Sequence, residues 1–180
     1  MKIKLLALVL ALQCAWLLAT TFMQERALRA GQLILLETRP VDPRDLLRGD
    51  YVTLGYKISD VPWSAFSPAI TAALPAGTTV YVALAPTANG LYEVTRAATS
   101  SFTPDSGQVL VQGKSRYWWG ATNSVRVDYG IERYYVHEGT GNPRGKLTVQ
   151  AAVPKSGRAT IKEVFVDGKP YAEAMKAAGK

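Results

Sequence analysis

Two patterns divide the chain. From residue 5 to 23 the sequence LLALVLALQCAWLLATTFM carries no charge across 19 positions, and Gln13, Thr20 and Thr21 are its overtly polar members. As a helix this stretch rises roughly 28 Å, close to a hydrocarbon core of about 30 Å. After Gly31, short runs rich in Val, Ile, Thr and Tyr alternate with clusters of Gly, Pro and Asp. That alternation is the signature of strands joined by tight turns. Strands are predicted at 32–38, 51–59, 79–85, 92–97, 108–116, 124–129, 133–136, 146–153 and 160–166. With so many short pieces the fold class is mainly β, a β-barrel-like or β-sandwich domain behind one N-terminal transmembrane helix.

Turn chemistry punctuates this pattern. Asn89-Gly90 sits where a hairpin turn is expected between 79–85 and 92–97, and Asp167-Gly168 ends the last strand in the same way. Pro62, Pro68 and Pro75 exclude a regular long helix from 61–77, which is expected to be a crossing loop with one short helix at most. Pro170 can open a short helix through Lys176, expected to be a solvated or loosely docked tail.

The densest local information lies at 39–58, RPVDPRDLLRGDYVTLGYKI. Pro40 and Pro43 end the first strand near Arg39. Asp42 can cap a turn through Leu47, and Gly49 can stop it. Beyond it, period-two alternation places Val52, Leu54, Tyr56 and Ile58 on a core face and Tyr51, Thr53, Gly55 and Lys57 on the other. Asp50 can accept hydrogen bonds from amides of the preceding turn and so fix the angle between turn and strand.

Composition sharpens the address. The N-terminal helix is flanked by Lys2 and Lys4 before it and by Glu25, Arg26 and Arg29 after it. Its apolar run is longer than a signal-peptide core and lacks a good cleavage context, so an uncleaved anchor over residues 1–30 is expected, with cleavage as the alternative. The flanking charges favour a cytoplasmic N-terminus, placing residues 31–180 as one extracytoplasmic domain at a bacterial inner membrane. A chain whose single cysteine, Cys14, lies within the helix is chemically safe in such an oxidising compartment. Residues 31–180 contain 17 basic and 13 acidic side chains, an excess that favours solubility and weak attraction to anionic surfaces.

The same counts narrow the chemistry. One cysteine and one histidine, His137, exclude an intrachain disulfide, a multi-cysteine zinc site and a histidine-pair metal site, so no cofactor or metal is assigned. Asp42, Asp45 and Asp50 could chelate a cation or act as an acid/base pair, but Arg39, Arg44 and Arg48 interleave with them as ion pairs would. His137-Glu138 could titrate near neutral pH, or simply end a strand. Tyr117-Trp118-Trp119, with Lys114 and Arg116 before it and Arg126 soon after, cannot bury all three rings if it continues a strand. Trp118, Trp119 and Arg116 are therefore candidates for contact with a headgroup layer, a glycan or a protein, while nucleic acid is an unsuitable partner outside the cytoplasm.

Gly49-Asp50-Tyr51 followed by Leu54 and Tyr56 resembles the signature of the GDYXXLXY protein family. The resemblance extends to the N-terminal apolar segment, the lead-in at 40–48, the stretch YGIERYYVHEG at 129–139 and the final strand into Val166-Asp167-Gly168. It implies a bacterial membrane-associated protein without an assigned activity, accompanying a multi-pass membrane protein. After Glu138 the chain departs from the family pattern, with the link GTGNPRG at 139–145 where a helical segment is expected. A strand, turn and Gly-Asp arrangement after an anchor also resembles type I signal peptidases. The interval 37–48 has no serine to act as nucleophile, however, and Lys57 falls on the face opposite the core. The reading that results is a membrane-anchored accessory or interaction module, held through residues 5–23 in the bilayer, with no catalysis inferred. A cell-envelope hydrolase or metal-dependent ligand binder using the aspartate cluster or His137-Glu138 is the alternative.

Overall fold

The computed structural model describes residues 2–39, 51–117, 123–136 and 145–178. Helix α1 (Lys2–Ala30) contains the apolar run, and its window Lys4–Met23, with mean hydropathy 2.1, is long and apolar enough to cross a membrane. None of that window is buried against the rest of the chain. Leu6, Trp16, Leu18 and Met23 stand out from the helix at about 70 % exposure, the opposite of a soluble core helix. This helix suggests membrane anchoring.

Gly31 alone separates α1 from β1 (Gln32–Arg39). The described strands that follow are β2 (Tyr51–Thr53), β3 (Gly55–Tyr56), β4 (Asp60–Pro62), β5 (Thr79–Pro86), β6 (Tyr92–Ala98), β7 (Val109–Arg116) and β8 (Ser124–Asp128). They continue with β9 (Arg133–Tyr135), β10 (Leu147–Val153), β11 (Thr160–Val166) and β12 (Lys169–Pro170), before helix α2 (Tyr171–Ala178). One sheet has the order β12-β11-β10-β1-β3, a second β4-β8-β7-β5-β6, and β2 pairs with β9 as a separate ribbon. These ladders are antiparallel. A parallel bridge from Leu35 to Leu91 joins β1 to the start of β6, and Gln112 on β7 donates to the Gly157 carbonyl beyond β10. The two sheets thus approach along both sides, giving a barrel-like body.

Alternation along the strands accounts for the interior. Ile34 and Leu36 of β1 and Val149 and Val164 of the first sheet join Val80, Val82, Val111 and Val127 of the second in one buried cluster. Each such side chain contributes about 1.5–3 kcal/mol relative to exposure. The chain is mainly β with one N-terminal apolar helix, as the pattern predicts. The Asp167-Gly168 turn has both residues at positive φ, 49° and 80°, and joins β11 to β12. The Asn89-Gly90 hairpin also forms, but as a wider loop in which Gly90 at φ 78° follows a turn closed by the Thr87 carbonyl.

Two expectations are corrected and one is resolved. The strand at 51–59 is broken: β2 pairs with β9, β3 pairs with β1, and Lys57–Ser59 forms a 3-10 turn. Its core face nevertheless survives, with Leu54, Tyr56 and Ile58 buried and Val52 packed against them. The break follows from the change of partner, since one strand cannot serve a ribbon and a sheet edge in different directions without a turn. Residues 61 and 62 are not loop but belong to β4, on the edge of β8, because Pro62 is tolerated at an edge position. Of the two expectations for the C-terminal helix, solvated or loosely docked, docking is the one found. Tyr171 is buried, meets the Tyr134 ring edge-on at 5.4 Å, and Ala174 and Met175 pack on the core.

Strand direction defines two ends. β1 runs away from α1, and antiparallel β10 returns so that Val153 lies beside Gln32 next to the helix. β6 is parallel to β1 at the Leu35 bridge, β5 opposes β6, and β7 opposes β5, so β7 also runs away from α1. The C-terminal ends of β1 and β7 and the N-terminal end of β10 therefore form the face remote from the helix.

Candidate functional site

At the remote face the stretch 51–58 and the stretch 129–135 form one unit. β2 and β9 align Tyr51 with Tyr135, Val52 with Tyr134 and Thr53 with Arg133, and the Leu54 amide continues the pairing by donating to the Glu132 carbonyl at 2.8 Å. Two buried phenols then cross-link the segments. The Tyr56 hydroxyl donates to the Ile131 carbonyl at 2.7 Å, and the Tyr129 hydroxyl donates to the Ile58 carbonyl at 2.8 Å. Burial pushes both phenols well above the ordinary tyrosine value, with the Glu132 charge adding to it, so both stay protonated and keep their donor role.

The Tyr129-Gly130-Ile131-Glu132 turn is closed by its own glutamate. The Glu132 carboxylate accepts the amides of Tyr129 and Gly130, the latter at 2.9 Å, and Gly130 takes φ 82°. Glycine enters that left-handed region at no Cβ cost. Glu132 therefore turns the chain back from β8 so that β9 can meet β2. Its spacing in the sequence, two residues after a glycine between two strand patterns, was the available signal for this role, and none was assigned to it.

Around this unit the carboxylates are committed to cations. Glu37, whose side chain is 15 % exposed, takes Lys146 at 2.7 Å and is also bridged by Lys57. Hydrogen bonds from Lys146 and then Lys57 hold its carboxyl below the ordinary glutamate value, against the opposing effect of burial. Asp60 is clasped by Arg39 and by Arg126, the second at 2.8 Å, and Asp128 lies 3.5 Å from Arg116. These links join β1, the 3-10 turn at Lys57–Ser59 and the residue before β10 on one side and β1, β4, β7 and β8 on the other. Lys57 engages Glu37 and is 54 % exposed, a setting unlike a buried catalytic lysine. No signal in the sequence marks the roles of Glu37, Asp60 and Tyr129, because their importance lies in contacts between distant segments, and Arg126, expected beside the aromatic run as a surface cation, is instead a partner of Asp60.

Glu37 gives a pH prediction. Its carboxyl is more acidic folded than unfolded, so its contribution to stability is present above the ordinary value of about 4.3 and fades as pH falls through the lowered folded value. The urea midpoint of the native sequence is expected to drop on acidification below about pH 4, and Glu37→Gln to flatten that part of the profile. An identical acid limb in both proteins would remove Glu37 from the account.

The structure places the sequence candidates as follows. Leu54 and Tyr56 are core residues, and Tyr51 opens β2 opposite Tyr135. Arg116 ends β7 with its guanidinium near Asp128. Asp42, Asp45, Gly49, Asp50, Trp118, Trp119, His137 and Glu138 lie outside the described residues. Among the described residues there is no group of three His, Cys, Asp or Glu side chains placed to hold a metal ion.

No curated protein and no solved structure was found to match the chain. A family model does match, from residue 13 within α1 to residue 164 within β11. The matched span includes Tyr51, Leu54 and Tyr56 of the signature together with the 129–135 stretch they pair with, and on that match the chain belongs to the GDYXXLXY protein family.

Proposed function

We propose that the protein is a single-pass, membrane-anchored accessory module whose β domain, residues 31–180, lies on the extracytoplasmic side of a bacterial inner membrane and engages a multi-pass membrane protein. The observation that carries this reading is the pairing of an exposed apolar helix with a braced β body joined to it by a single residue. α1 passes into β1 through Gly31 alone, and the remote face is braced by ion pairs and by buried hydroxyls donating to backbone carbonyls. Such bracing holds a surface in shape. Groups poised for general acid/base work are instead tuned toward neutral pH, whereas the Glu37 carboxyl is moved away from it. Confinement in the bilayer raises the effective concentration of the domain near a membrane neighbour, which lets a weak interface suffice.

Crosslinking in native membranes tests the proposal. A covalent adduct between this chain and a multi-pass membrane protein is expected. Absence of any such adduct overturns the accessory role. Protease added to intact spheroplasts should cut the chain beyond residue 31, and protection there would place the domain on the other side.

A further inference from the structure

The face of the β domain nearest α1 has a chemistry of its own. By helical rise, the seven residues 24–30 beyond the apolar window span about 10 Å, comparable to a headgroup layer, and Gly31 is the whole link to β1. If α1 spans the bilayer, as proposed above, the domain cannot stand far from its surface. The turn after β10 leaves from the same point, because Val153 pairs with Gln32. This turn, Pro154-Lys155-Ser156-Gly157-Arg158, presents exposed Lys155, Ser156 and Arg158.

The turn is fixed in place rather than trailing. The Gly157 amide donates to the Pro154 carbonyl at 2.9 Å, and the Gln112 amide of β7 donates to the Gly157 carbonyl at 2.8 Å. Gly157 sits at φ 78°, and a Cβ there would come within 3.3 Å of the β7 backbone. Its neighbours Lys155 and Arg158 are thereby held at the helix end of the barrel, where α1 contributes exposed Arg26 and Arg29. Glu25 is the acidic residue of that helix end, and it is occupied by Arg29. Asp105, in the connection leading to β7, is engaged with Gln108. Exposed Leu33 at 41 % lies beside the same junction on β1.

We infer that this base, formed by Arg26, Lys155 and Arg158 beside the Glu25–Arg29 pair, is a docking face for anionic lipid headgroups, so that the membrane holds the domain by its surface charge as well as by α1. Each basic side chain near an anionic surface favours the contact by about fivefold, and the attraction is screened by salt. The inference rests on α1 being a membrane span, and gives the barrel a fixed attitude with its braced face directed away from the bilayer.

The test uses the full chain with Cys14→Ser and Ser156→Cys, spin-labelled at 156 and reconstituted in nanodiscs of neutral lipid or of lipid containing about 30 % phosphatidylglycerol. A second label at Ser64→Cys, beyond β4 at the remote face, serves as reference. The label at 156 should lose at least about fivefold of its accessibility to a water-soluble relaxation agent in anionic discs, and regain it at about 0.5 M salt or with Lys155→Glu plus Arg158→Glu. The label at 64 should not respond to lipid charge. The thermal midpoint of the charge-reversed chain should equal that of its parent, showing that the fold is kept. Equal accessibility at 156 in neutral and anionic discs, with the chain fully incorporated, overturns the docking face and leaves the anchor standing. Failure of the chain to enter the discs overturns both.

Discussion

Tyr56→Ala is expected to lower stability by about 3–5 kcal/mol, because a fully buried ring is removed and the surrounding strands can close only part of the space. The thermal midpoint should fall on the order of 10 °C for a chain of this size. Tyr56→Phe separates two causes. It keeps the ring but leaves the Ile131 carbonyl without its 2.7 Å donor, in a place where the phenol was buried, and should cost about 1–3 kcal/mol. Thr53→Ala, on the exposed side of β2, should stay within about 0.5 kcal/mol as a control. Denaturant unfolding of the detergent-solubilised full chain, followed by tryptophan fluorescence, gives all three values. A Tyr56→Phe midpoint equal to the parent would show that the hydroxyl does not tie the two segments together.

The physical reason for this sensitivity is that Tyr56 and Tyr129 act as reciprocal latches. Each belongs to one segment and donates to a backbone carbonyl of the other, while the Leu54 amide and the Glu132 carbonyl continue the β2–β9 ladder between them. The family signature is thus half of a structural unit whose other half is the 129–135 stretch. Loss of either half leaves buried carbonyls unpaired in the other, a cost larger than the gain from any one hydrogen bond. The unit also sets the direction in which β2 and β9 project from the remote face.

Much of this was legible in the residues, and the reason it was is specific. Alternation in 32–38 and 79–85 announced strands whose inward face is buried, and Asp167-Gly168 announced a turn needing two positive φ values. Leu54, Tyr56 and Ile58 were readable as core from period two alone. The break between β2 and β3 was not, because residues 51–58 keep the same inward face while changing partner, and local periodicity carries no record of partners. Pro62 concealed β4 for a related reason: a proline argues against a central strand but not against an edge. The candidate site was the least legible part. Glu37, Asp60 and Glu132 look like ordinary surface acids in sequence, and their roles arise from Lys146, Arg126 and the Tyr129-Gly130 amides, brought near by the fold.

Gly113 carries the second large effect. Its residue lies in β7 opposite Val80, and a Cβ there would fall 2.4 Å from Val127 Cγ1, 2.8 Å from the Asp128 carbonyl oxygen and 3.0 Å from the Tyr129 ring. Glycine is thus required for close approach rather than for backbone angle, since β8 and the start of the Tyr129 turn cross directly over it. Gly113→Ala should cost about 1–3 kcal/mol through forced displacement of β8, and it should weaken the Tyr129 latch at the same time. The side-chain and backbone parts of the conflict can be told apart. Val127→Ala removes the nearest methyl but not the Asp128 carbonyl, so Gly113→Ala with Val127→Ala should be less destabilised than the sum of the single changes by about 0.5 kcal/mol or more, yet remain below Val127→Ala alone. Strict additivity of the two changes in urea unfolding would mean that β8 does not lie against Gly113 as described, and the positioning of Asp128, Arg116 and the Tyr129 turn from that contact would fail with it.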